Sequence, residues 1–333
     1  MLSPALTVPH PPEIPGLSFR GFRGQGDYPH MARIINATKQ ADGVERSDSV
    51  ENIAAGYRHL HNSDPYRDMV FAEISGVPVG YSRVWWEKQD DGQYTYVSFC
   101  FLDPAWRRQG IGQAILEWDL DRLRAISTAH DSDRKVFRAS AQGGELATKA
   151  LLEANAFVPV TYGAEMARSI LYELPDASLP EGLEIRPVRS TDLRAIWEAD
   201  VEAFRDHWGS HEQLESDWEA FLDRPHTDPT LWRVAWEGDR VVGQVRSFID
   251  PNENAEYGRL RGYTENISTI KEWRGQGVAR ALICASMRAL RDRGMEEVGL
   301  GVHTENPTGA FHLYSSLGYQ VVSTSTVYER ALD

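Results

Sequence analysis

The chain has 333 residues, 41% hydrophobic and 25% charged, with a formal net charge of −14. That length suits two cores of about 150 to 180 residues better than one, and no apolar run is long enough to predict a membrane span. The negative charge opposes nucleic-acid phosphates with no basic helix to offset it, and the two cysteines, Cys100 and Cys284, supply neither a disulfide framework nor a metal-ligand spacing.

Residues 1–15 are rich in proline and lack a basic segment, which predicts a flexible N-terminal arm rather than a signal peptide, and with it a cytoplasmic protein. A short strand is expected over residues 16–20, and Gly182-Leu183-Glu184-Ile185-Arg186 matches it in the second half, so each marks the start of a repeat. The glycines at 21, 24 and 26 have no strand-turn-helix context and predict a plain loop. Helical periodicity covers residues 29–39 and 50–61, and alternating apolar runs at 69–73 and 77–85 predict a hairpin around Ser75-Gly76. A fourth strand is read over 94–102, a helix to about Thr128, a strand at 136–139, a short helix at 145–154 and closing strands at 157–160 and 166–174. The proline-bearing residues 175–181 read as a linker.

The second half repeats this order. Asp192 starts a helix carrying Leu193, Ile196, Trp197 and Phe204, and a second helix holds Leu214, Trp218 and Phe221. A hairpin over 232–246 follows, then a strand at 259–270, a long helix to Arg293-Gly294, a strand at 298–303, a helix at 307–317, and strands at 318–323 and 326–330. Hairpins require antiparallel pairing, so the expected fold class is α/β with a mixed α+β sheet in each of two tandem domains, 16–174 and 182–333.

Both halves place a basic, glycine-bearing turn between a strand and a long helix: Arg107-Arg108-Gln109-Gly110-Ile111-Gly112-Gln113, and Arg274-Gly275-Gln276-Gly277-Val278-Ala279-Arg280 after Ile270. Amides at a helix N-terminus lack intrahelical partners and lie at the positive end of the helix dipole, so such a turn can cradle a pyrophosphate where small residues keep the approach open. The two turns, R-x-x-G-x-G and R-x-x-G-x-A, resemble the acyl-CoA signature of the GNAT superfamily of N-acetyltransferases, and the resemblance spans almost the whole chain in tandem. It implies that acetyl-CoA is bound by the turn residues named above, with no metal required.

Further implications of the resemblance separate the halves. Asn306 would bond the pantetheine arm, Tyr314 would protonate the leaving thiolate, and Glu265 on the fourth strand would take the proton of the amine. The first half aligns Gly144 with Asn306 and Leu152 with Tyr314, and has no acid to match Glu265. It is therefore expected to be non-catalytic. Arg205, Asp206, His207 and Trp208 would wall the acceptor pocket, and the spacing of His207 and His211 does not make a metal site because Gly209 interrupts the helix. The expected reaction is direct acetyl transfer, in a ternary complex, to the primary amine of a small molecule. Alternatives are an antibiotic acetyltransferase of the aminoglycoside type, or a non-catalytic acyl-CoA sensor. Acceptor identity, acyl length and oligomeric state are not readable from the sequence.

Overall fold

The computed structural model describes residues 6–45, 49–205, 207–210, 213–224, 226–305 and 309–332. They divide into two compact units, Met1–Thr161 with Ser325–Asp333, and Tyr162–Thr324.

The first unit runs β1 (Leu17–Arg20), α1 (Tyr28–Asp42), α2 (Val50–Gly56), α3 (Pro65–Asp68), β2 (Met69–Ile74), β3 (Val77–Lys88), β4 (Tyr94–Leu102), α4 (Ile111–Ser127), β5 (Lys135–Gln142), α5 (Leu146–Ala154) and the start of β6 (Val158–Ser169). Strands β1 to β4 pair antiparallel in sequence order, and β5 joins β4 in parallel over Tyr94↔Lys135 to Val97↔Arg138. Helix α1 ends at Gly43, whose φ of 62° is the left-handed conformation that terminates helices.

The second unit contains the rest of β6, β7 (Glu184–Ile185), α6 (Leu193–Phe204), α7 (Glu215–Leu222), β8 (Arg233–Glu237), β9 (Arg240–Phe248), α8 (Pro251–Tyr257), β10 (Arg261–Thr269), α9 (Val278–Asp292), β11 (Glu297–His303), α10 (Ala310–Ser316) and the first part of β12 (Gln320–Ala331). Its sheet repeats the pattern, antiparallel from β7 to β10 and parallel between β10 and β11. Leu282, Leu290, Val298 and Leu300 are completely buried where α9 covers β10 and β11, each such side chain stabilising the fold by about 1.5–3 kcal/mol. Helix α8, absent from the sequence reading, begins where Asp250 accepts the N–H groups of Asn252 and Glu253 ahead of Pro251.

The unit boundaries differ from the expected domains 16–174 and 182–333. Residues 163–169 of β6 pair antiparallel with β11, Glu165 opposite Gly301, and so complete the second sheet. Residues 325–331 of β12 return to pair with β5 of the first unit. Each pair of closing strands expected from the sequence is one continuous strand, and backbone pairing far along the chain decides its unit. Nor is residues 175–181 a free linker, since Ala177 and Leu179 pack on the second core. The N-terminal arm is likewise not loose in its described part: Val8 is buried and, with Leu6 and Ile14, joins the cluster of Ile111, Ile115 and Trp118.

Candidate active site

In the second unit β10 ends at Thr269, a short turn follows, and Gly275 and Gly277 take φ of 75° and 89° before α9 starts at Val278. A Cβ built on either glycine meets nothing within 4 Å, and α9 has no side-chain cap. The first amides of the helix therefore face open space, which fits a pyrophosphate. Val278 and Ile270 are expected coenzyme residues whose side chains the structure places elsewhere, both buried in the core. The Ile270 N–H is also spent on the Val242 carbonyl at 3.0 Å. Gln276 turns back to the Glu272 carbonyl, Ala279 lies on the half-buried first turn of α9, and Arg280 donates to Ser316 Oγ on α10 at 2.9 Å.

Arg274 also departs from expectation. Its Nε donates to the Thr269 carbonyl at 3.2 Å and its Nη2 to the Ala203 carbonyl at 2.7 Å, so the guanidinium ties the end of β10 to the end of α6. This is a positioning role. Arg274→Ala should raise the Michaelis constant for acetyl-CoA and also lower the unfolding free energy by about 1–3 kcal/mol, the range for charge-assisted hydrogen bonds, as read by chemical denaturation. A raised Michaelis constant at unchanged stability would return the guanidinium to the phosphates.

Beside this turn β10 is irregular. Its register with β9 passes from Glu265↔Arg246 to Ser268↔Gln244, so Asn266 and Ile267 oppose Val245 alone, and Asn266 has φ 48°. Such a bulge removes backbone groups from the ladder. On its other edge β10 pairs with β11 only as far as Tyr263↔Gly299. Past that point Glu265 reaches across, its Oε1 accepting the Gly301 N–H at 2.9 Å. Burial, with the Glu165 charge adding to it, pushes the Glu265 carboxyl up to about 7 despite that hydrogen bond and the Arg224 charge.

Tyr314, on α10, is 6% exposed with its ring 6.1 Å from that of Tyr319. The Tyr319 hydroxyl is held by Thr264 Oγ1 at 2.7 Å, whereas the Tyr314 hydroxyl has no hydrogen-bond partner among the described residues. Burial and then the Glu265 charge raise its pKa, so it stays protonated. An open glycine turn, a broken strand edge, a carboxyl titrating near neutrality and a protonated phenol thus lie in one unit. Together they can hold an acyl thioester and exchange protons with it.

The Acetyltransferase (GNAT) family description matches residues 31–130 and 193–319, which is more than half of the chain. The chain belongs to the GNAT acetyltransferase family. It is an acyl-CoA-dependent acetyltransferase with two GNAT regions in tandem. It is 30% identical over 308 residues to a mycothiol acetyltransferase of Saccharomonospora viridis, covering 89% of this chain and 92% of that protein. It is 27% identical to the mycothiol acetyltransferase of Geodermatophilus obscurus, over 90% and 92% of the two chains. A GCN5-related N-acetyltransferase from Sphaerobacter thermophilus shares the fold with a TM-score of 0.73 at 24% identity, over 98% of this chain and 97% of that one. A tandem GNAT protein from the clavulanic acid biosynthesis pathway does so at 0.66 and 14%, over 95% and 99%.

The two GNAT units differ at their centres. In the first, β3 and β4 pair without interruption from Gly80↔Leu102 to Lys88↔Tyr94, so no bulge exists there. Its turn is not clear of protein, for a Cβ on Gly110 would lie 3.2 Å from the Cβ of Pro12. Arg107 is bidentate to Asp42 at 2.6 and 2.8 Å, Gln109 bonds the Ala105 carbonyl, and Gln113 bonds Asn155 in both directions. Ile111 is buried, while Arg108 takes φ 58° and Gly112 lies near Leu151. Gly144 sits so close to the Asp42 carbonyl that a Cβ would come within 1.9 Å of its oxygen, which bars any side chain where the second unit has Asn306. Leu152, opposite Tyr314 in the repeat, is core.

Of the expected acceptor residues, His207 packs edge-on and Trp208 tilted against His303 at the end of β11, with centroids 5.3 and 5.7 Å away. Arg205 is exposed on the helix end. Asp206, His211 and Asn306 lie outside the described residues. Sequence reasoning missed His303 and Glu165, which alternate with apolar residues on strands and carry no motif. Cys284 is completely buried in α9, and burial raises its thiol pKa, so it is not poised as a nucleophile.

Proposed function

We propose that the second unit moves the acetyl group of acetyl-CoA to the primary amine of a small molecule by direct attack in a ternary complex. The observation that carries this reading is the bulge of β10, which sets Glu265 opposite Gly301 with Tyr314 close enough to respond to its charge. Glu265 takes the proton that the ammonium must lose before nitrogen can attack the thioester carbonyl. The tetrahedral adduct collapses with cleavage of the C–S bond as Tyr314 donates its proton to the departing sulfur, and the second proton shed by the nitrogen restores the phenol. Amides at the start of α9, with the open faces of Gly275 and Gly277, hold the pyrophosphate, and Asn306 supports the pantetheine arm. His207 and Trp208, with Arg205, bound the acceptor. The first unit is a scaffold, since its strand is unbroken and Pro12 and Asp42 lie against its cradle.

Because relatives of this chain are named mycothiol acetyltransferase, amines related to mycothiol are the first to be tried. The test is release of coenzyme A thiol from acetyl-CoA across an amine panel, in the wild type and in Gly277→Asp. That substitution forces a side chain onto φ 89° and sets a negative charge in the cradle. Amine-dependent release should occur in the wild type and fall to background in the variant. Release that survives in the variant would assign the activity to the first unit.

A further inference from the structure

We propose that Glu165 is a second ligand for the acceptor's ammonium group, closing on it with Glu265 from the two sides of β11 and selecting alkylammonium acceptors that lack a carboxylate beside the nitrogen. The inference rests on the N-acetyltransferase reading above and names its substrate class.

Residues 299, 301 and 303 share one face of β11, and Gly301 leaves its part of that face exposed and without a side chain. A Cβ at Gly301 would lie 3.3 Å from Glu165 Oε1 and 3.7 Å from Glu265 Oε1, so the two carboxylates flank the same point. Glycine within a strand marks a place where a ligand can approach the backbone. Glu165 reaches it because β6 pairs there in register, and among the described residues it has no hydrogen bond or ion pair of its own.

Two acids alone would describe a solvated patch. Tyr314 makes this one a site: it is more than nine-tenths buried, its hydroxyl has no partner among the described residues, and it feels the charge of Glu265. A primary ammonium has three N–H donors, enough to meet both carboxylates in charge-assisted bonds before one proton passes to Glu265. An α-carboxylate carried in with it would face two like charges.

The other charged and titratable groups around Glu265 are Arg224 ahead of β8, Arg246 on β9 with its partner Asp200 from α6, Tyr314 on α10, Tyr319 on β12's approach, and His303 on β11. The charges of Arg261 and Glu253 act on Glu165. Glu165→Gln leaves all of these in place and removes one negative charge. The proton affinity of Glu265 should therefore fall.

Steady-state kinetics with tyramine, and with tyrosine as its carboxylated counterpart, test the inference. Wild-type enzyme should prefer tyramine by at least tenfold in kcat/KM. Glu165→Gln should raise the KM for tyramine at least tenfold with kcat within about threefold, narrow the preference over tyrosine, and move the acid limb of kcat/KM to lower pH. Glu165→Asp should restore the preference in part. An unchanged KM and acid limb in Glu165→Gln, or equal use of tyrosine by the wild type, would overturn the role of Glu165 while leaving the transferase reading intact. Absence of amine-dependent turnover in the wild type would overturn the N-acetyltransferase reading itself, and this inference with it, while full activity in Glu265→Gln would overturn the pairing of the two carboxylates.

Discussion

Tyr314→Phe is expected to lower turnover by about 10²-fold or more, equivalent to roughly 2.7 kcal/mol of lost transition-state stabilisation. The change removes one oxygen that makes no hydrogen bond among the described residues and keeps the ring that packs edge-on against Tyr319. Stability and the Michaelis constant for acetyl-CoA should therefore change little, which separates a proton donor from a packing residue. The raised pKa, due to burial first and the Glu265 charge second, keeps the phenol protonated over the working range. An activated acyl donor whose thiolate departs without a proton should show a smaller effect. Wild-type turnover in the variant, measured with acetyl-CoA, would reduce Tyr314 to a core side chain.

Glu265→Gln is expected to cost a comparable factor, about 10²–10⁴-fold in turnover, because the amide keeps the shape and cannot take a proton. The pH profile provides the sharper measurement. A base must be deprotonated to act, so a carboxyl held near 7 makes kcat/KM fall in proportion to proton concentration below about pH 7 and level off above it. An ordinary exposed glutamate would place that limb well over two units lower. The variant should lose the limb along with the activity. A limb retained in Glu265→Gln would assign it to another group, with the acceptor's own ammonium as the first alternative.

Much of the site is legible in the residues alone because it is built from local rules. Gly277 is required by a positive φ at a strand-to-helix turn, and the same spacing recurs at Gly110. The contrast of Tyr314 with Leu152 and of Asn306 with Gly144 follows from aligning two repeats, which needs no coordinates. Arg274 and Arg107 are legible as residues but not in their task, since the Ala203 carbonyl and the Asp42 carboxylate they bind come from α6 and α1, far away in sequence. Glu165 could not be found at all, lying in a strand whose apolar alternation names no partner.

The sequence by itself therefore determined the duplication, the mixed α/β class, the two glycine turns between strand and helix and the differences in residue type between the halves, because each rests on periodicity, turn chemistry or residue type within a short window. Only the tertiary structure decided which sheet each closing strand joins. Hydrogen-bonded register between distant strands is a non-local choice that a period of two leaves open. That choice brought Glu165 beside Gly301 and sent residues 325–331 back to β5. The bulge at Asn266, and the closure of the first cradle by Pro12 and Asp42, belong to the same class. Each arises from how many residues one segment must fit against another, a quantity that exists only once the two segments have met.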